Sequence, residues 1–85
     1  MKIGTVHRTT IVSRCPHGGT DVYEAVFDVG GAMVTVESIQ AEIDQAIKEP
    51  IYQEDLTIRL AEKLQCAVVT VGRHGRFQTE CRAEN

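Results

Sequence analysis

Apolar residues between Ser38 and Leu64 recur every three or four positions: Ile39, Ile43, Ala46 and Ile47, then, past Pro50, Tyr52, Leu56, Leu60 and Leu64. That spacing predicts two consecutive amphipathic helices, each with one apolar stripe to bury. On either side the period changes to two. Tyr23–Glu37 and Cys66–Ala83 alternate as strands with one buried face do, so the surface that receives both stripes is a sheet built from these flanks. The pattern predicts an α+β fold, an antiparallel four-stranded sheet with two helices packed on one face, in ββααββ order.

Taken in order, Lys2–Arg14 is rich in Thr, Val and Ile and predicts a first strand. Cys15-Pro16-His17-Gly18-Gly19-Thr20-Asp21 concentrates turn formers and predicts a loop. In Val22–Val29 one face carries Tyr23, Ala25, Phe27 and Val29. Gly30-Gly31 then signals a hairpin turn, with Ala32–Glu37 returning as a strand, or alternatively a bulge within one longer strand. Ser38 suits the N-cap of the first helix and Pro50 ends it, because the residue ahead of a proline is pushed toward extended backbone. The second helix is expected from about Gln53, with Glu54 and Asp55 in its first turn and Lys63 in its last, an order that complements the helix dipole. Cys66–Val71 is a short apolar run that predicts a buried central strand. Gly72–Arg76 is its turn, and Phe77–Ala83 alternates again, with Gln78, Glu80 and Arg82 on the polar side.

Eighty-five residues define one domain, 1–85. A chain of this size buries only about 60–65% of its unfolded surface, which favours self-association into a homo-oligomer. Hydrophobic content of 42% and charged content of 25% match an ordinary globular protein and argue against a disordered chain. A net charge of −3 and four aromatic residues, Tyr23, Phe27, Tyr52 and Phe77, argue against nucleic acid as a partner. Three cysteines at positions 15, 66 and 81 cannot pair completely within one chain, which fits a reduced, cytoplasmic setting. Residues 1–14 hold no run of signal-peptide length, and no stretch is long and apolar enough to span a membrane.

Among groups able to do chemistry, the turn bearing Arg73, His74 and Arg76 gathers two permanent cations and an imidazole between two glycines. Guanidiniums and glycine-exposed amides together suit a carboxylate or phosphate, and a solvated hairpin tip explains the same residues without a ligand. Glu80 faces solvent or a neighbouring subunit. Cys15 and His17 offer a thiol and an imidazole two residues apart, as turn chemistry, as a nucleophile and base, or as part of a zinc site. No third and fourth ligand share that spacing, so no metal or cofactor is assigned and no catalytic residue is named. Cys66 and Cys81 occupy apolar positions as core fillers. Glu54 and Asp55 read as helix-start acids.

With the elements placed, His17–Ala83 resembles the tunnelling-fold proteins, nearest the 6-pyruvoyl- and 6-carboxytetrahydropterin synthases. The likeness rests on His17-Gly18-Gly19-Thr20-Asp21-Val22-Tyr23 before and into strand two, Gly31-Ala32-Met33-Val34-Thr35-Val36-Glu37 before the first helix, Glu54-Asp55-Leu56-Thr57 opening the second, and Val69-Thr70-Val71. It implies the scaffold and a habit of assembling into barrels. It does not carry over the reaction. Gly19 stands where the family has the second histidine of its metal motif, and Arg73 where it has the acid that anchors the pterin. A guanidinium cannot accept the paired N–H donors of a pterin edge. The expectation is therefore an oligomeric protein binding a small anionic or heterocyclic metabolite at a subunit interface through Arg73, His74, Arg76 and Glu80. Two alternatives stand beside it, a pterin- or deazapurine-pathway enzyme with rearranged site residues and a structural or partner-binding module.

Overall fold

The computed structural model describes residues 1–84 and contains β1 (Thr5–Arg14), β2 (Thr20–Gly30), α1 (Val36–Ala46), α2 (Gln53–Leu64), β3 (Ala67–His74) and β4 (Phe77–Ala83). The strands make one sheet in the order β1-β2-β3-β4, every neighbouring pair antiparallel. Both helices fall between β2 and β3 in the chain, so the sheet closes its centre only when β3 returns beside β2. This is the expected α+β architecture with its β-β-α-α-β-β order.

Period-two alternation sends Ile11 from β1, Tyr23, Ala25, Phe27 and Val29 from β2, and Val68 from β3 to one side. The helices meet that face with Ile39, Ile43 and Ala46 from α1 and Leu56, Leu60, Ala61 and Leu64 from α2, the two stripes expected. Phe27, Leu56, Leu60 and Val68 are completely enclosed. Truncating such a side chain to Ala costs about 2–5 kcal/mol, because lost transfer energy adds to the cavity left behind.

A polar network sits inside this apolar layer. Gln53, buried at the first turn of α2, donates from Nε2 to the Thr70 carbonyl at 3.2 Å and the Thr79 carbonyl at 3.0 Å. Thr57 Oγ1 lies 2.8 Å from the Gln53 carbonyl and 2.7 Å from Thr70 Oγ1. The network ties α2 to both β3 and β4.

Local structure departs from expectation in three places. Ala32–Glu37 is not a strand: β2 ends at Gly30 (φ +58), the Ala32 amide turns back to the Val29 carbonyl, and the helix is already running at Val36. The N-cap is Thr35, whose extended backbone (φ −84, ψ 155) lets its hydroxyl accept from the Ser38 amide. Ser38 is inside the first turn and returns a hydrogen bond from its own hydroxyl to the Thr35 carbonyl at 2.8 Å. Helix α1 also stops at Ala46, well before Pro50, because the connector is tied to β1 instead: the Arg14 guanidinium donates to the Lys48 carbonyl and the Ile51 amide to the Arg14 carbonyl. Finally, β3 runs on to His74, which shortens the expected Gly72–Arg76 turn to Gly75 (φ +64) and Arg76.

Among the described residues no helix is long and apolar enough to cross a membrane.

Candidate functional site

The β3–β4 hairpin carries the four residues singled out from the sequence, and the strand period divides them. Arg73 is on the uncovered side of the sheet in register with Gln78, and it helps line a depression shared with Val22, Glu24, Val71 and Gly72. His74 points the other way, its Nε2 3.4 Å from Gln53 Oε1. Arg76 is at the two-residue tip. Glu80 returns to the uncovered side and pairs with Arg82 at 2.6 Å, the one ion pair among the described residues. Arg73, His74 and Arg76 thus stay together at one end of the molecule, and Glu80 is held two residue pairs away.

Alternation places Phe77, at this tip, on the side of β4 opposite Gln78, Glu80 and Arg82. Phe77, directly across the ladder from His74, is 70% exposed because neither helix extends far enough to cover it. Its neighbour Arg76 and its partner His74 are exposed as well. A large bare aromatic ring beside two cationic or titratable groups can stack a planar ring and pair an anion at its edge.

The β1–β2 loop is a second polar cluster. Gly18 (φ +102) and Gly19 (φ +83) permit a tight reversal in which the Gly18 amide reaches the Cys15 carbonyl and the Cys15 amide the Gly19 carbonyl. The reversal presents His17 to Tyr52 at the start of α2, Nε2 lying 2.9 Å from the phenol oxygen. Beneath it the buried Tyr23 hydroxyl donates to Asp21 at 3.1 Å. Burial first, then the Asp21 carboxylate, hold this phenol's pKa far above its ordinary value, with a small opposing effect from Ser13. Ser13 Oγ, itself buried, has no hydrogen-bond partner among the described residues. Among the described residues no three His, Cys, Asp or Glu side chains converge in a metal-holding arrangement. Burial raises the thiol pKa of Cys66 and Cys81.

The side of the sheet away from the helices is open, and the ladder register lays its residues out in rows. One row joins Arg8, Val26, Val69 and Arg82 across all four strands. The next joins Thr10, Glu24, Val71 and Glu80. Outside the first lie Val6, Asp28 and Ala67, and outside the second lie Val12 with Val22 and Arg73 with Gln78. Half-buried Val26, Val69 and Val71 therefore sit on the middle strands, the first row carries only positive charge (Arg8 and Arg82 on its flanks), and the second only negative (Glu24 on β2 and Glu80 on β4). A depression of about 430 Å³ lies over Val26, Val69 and Val71 with Arg8, Arg82 and Glu80 at its margin.

Comparison with protein-family models, curated proteins and solved structures finds no match to this chain.

Proposed function

We propose that the protein is a cytoplasmic, self-associating binding protein that takes a small anionic or heterocyclic metabolite at the tip of the β3–β4 hairpin, where a neighbouring subunit completes the site. The observation that carries this reading is the exposure of Phe77 beside Arg76 and opposite His74, with Arg73 one residue further in on the other side of the sheet. An aromatic ring left bare by folding costs solubility and does nothing for the core. With the Arg76 guanidinium beside it and the His74 imidazole across from it, the ring has the composition of a platform for a planar ring with an acidic substituent. Glu80 enters the site only if a ligand or subunit draws it from Arg82.

Kinship with the tunnelling-fold proteins belongs to the same reading. Sheet order β1-β2-β3-β4 with two helices between the second and third strands supports it, as do the two unpaired sheet edges on β1 and β4. An odd number of cysteines, three, suits a reducing compartment.

The test is a thermal-shift screen of a metabolite panel of nucleotides, pterins and small carboxylates against wild type, Arg73→Ala with Arg76→Ala, and Phe77→Ala. A compound that raises the wild-type Tm, and raises neither variant's, supports the reading through the linkage between binding and stability. Equal shifts in all three proteins would sink it in favour of a structural or partner-binding module.

A further inference from the structure

We propose that the open face of the sheet receives a second copy of this chain, packed sheet to sheet about a two-fold axis that crosses the strands between the Arg8–Arg82 row and the Glu24–Glu80 row. This deepens the self-association part of the reading above and does not depend on any ligand.

The charge rows select the axis. A two-fold across the strands keeps β4 over β4 but exchanges the two rows, so Arg82 of one copy faces Glu80 of the other, and the same pair recurs by symmetry. In β3 the exchange sets Val69 over Val71, apolar on apolar. Arg8 is brought over the row that holds Glu24, one strand away and within reach of its long side chain. Further out, Arg73 comes over the row that contains Asp28 and Ala67. A two-fold along the strands would instead lay each row on itself, Arg82 against Arg8 and glutamate beside glutamate. Like charges so placed cost free energy where the first arrangement gains it. A surface complementary to itself under one rotation is what an isologous dimer requires.

Four strands at ~4.8 Å spacing and four rows at ~6.6 Å make a patch of about 19 by 26 Å, roughly 500 Å², which places the contact at the small end of specific interfaces, below the standard of about 800 Å² per partner. Sheets packed this way stand ~10 Å apart with strands within ~30° of alignment. The helices of both copies stay outside, and each hairpin tip lies at the rim.

Sedimentation velocity or light scattering tests the proposal with Arg82→Glu and Glu80→Arg. Each substitution puts like charges across the axis, so each variant alone should fall to the 9.4 kDa monomer. Mixed in equal amounts they are complementary again and should return to twice 9.4 kDa, a recovery that misfolded chains cannot produce. The intrachain pair both variants lose is 64% and 46% exposed, so folding should persist and circular dichroism should show it. An oligomer that persists in both variants, a rise in mass for Arg82→Glu alone, or a mixture that stays monomeric would each overturn the assignment of this face and axis. The first of these leaves self-association standing through another surface. A monomeric wild type would overturn the dimer and the self-association reading together.

Discussion

The ring of Tyr23 fills the space that a side chain at Gly72 would need. The two residues are partners across the β2–β3 ladder, and a Cβ added to Gly72 would lie 2.6 Å from Tyr23 Cδ1 and 2.7 Å from Cε1. Tyr23 has no easy retreat, since it is 1% exposed and its hydroxyl is bound to Asp21. The glycine is there for room, and its backbone needs no positive φ.

Gly72→Ala should therefore destabilise the protein by about 1–3 kcal/mol, the range for an overpacked core site. The midpoint of urea unfolding reads this directly. A change under about 0.5 kcal/mol, the range of surface substitutions, would mean that the Tyr23 ring swings aside and that its packing is looser than described.

The same tyrosine sets the alkaline limit of stability. Burial and Asp21 raise its pKa in the folded state, and burial raises those of Cys66 and Cys81. The folded chain then holds protons that the unfolded chain releases, so the contribution is complete below the ordinary thiol and phenol values and is lost as pH climbs past them. Stability should decline from about pH 9 upward, where unfolded cysteines and then tyrosines ionise. Tyr23→Phe should flatten the part of that decline above about pH 10. Urea midpoints measured from pH 7 to 11 for both proteins check it, and parallel curves would contradict the placement of this phenol.

Gln53 is the polar residue whose loss should cost most. Its amide nitrogen satisfies the Thr70 and Thr79 carbonyls in the interior, and Thr57 and Thr70 share the same network. Gln53→Ala leaves buried acceptors without donors, at about 1–3 kcal/mol. Hydrogen exchange should show β4 amides losing protection before those of β2, because the network is what ties α2 to the outer strand. Uniform loss across the sheet would argue that Gln53 merely fills space.

These residues show what a one-dimensional pattern can carry. Alternation in Val22–Val29 and Phe77–Ala83 and the helical stripes through Leu64 were enough to specify both helices and the layer they bury, since burial is written in periodicity, but the same alternation also read Ala32–Glu37 as a strand where the chain turns into α1. Gln53 was invisible because a buried glutamine looks like any helix-start polar residue until three strangers in sequence converge on it. Phe77 failed in the opposite sense: its position in the alternation is right, but cover depends on where α2 ends in space. Arg73, His74 and Arg76 were legible as a cluster, whereas their division between the two sides of the hairpin depended on β3 continuing past Gly72.

The start of α1 gives a sharper check on local chemistry. Sequence offered Ser38 as the cap and the structure places Thr35 there, its hydroxyl accepting from the Ser38 amide at 3.1 Å. Thr35→Ala should cost about 1 kcal/mol, the usual value of an N-cap. Ser38→Ala should cost less, since Ser38 only returns a bond to a carbonyl that the Ile39 amide also reaches. Thermal melts of the two variants decide the matter by their order; for a domain of this size ~1 kcal/mol corresponds to roughly 4–8 °C.

Thiol reactivity can separate the binding reading from the enzymatic alternative. Thiolate is the reactive form, so access and charge environment decide which cysteine is alkylated first. Cys66 is buried and Cys81 half-buried, both with thiols pushed up by burial, whereas Cys15 is half-buried in an exposed loop. Iodoacetamide at neutral pH should therefore modify Cys15 first, with peptide mass spectrometry assigning the order. If His17 serves Cys15 as a base, His17→Ala should slow that modification markedly. The imidazole Nε2 is instead engaged by Tyr52 at 2.9 Å, so the rate should be unchanged by His17→Ala, and the substitution should act on the loop's seating against α2. A rate that collapses in His17→Ala but survives Tyr52→Phe would establish a working thiol–imidazole pair and turn the functional reading toward chemistry at this loop.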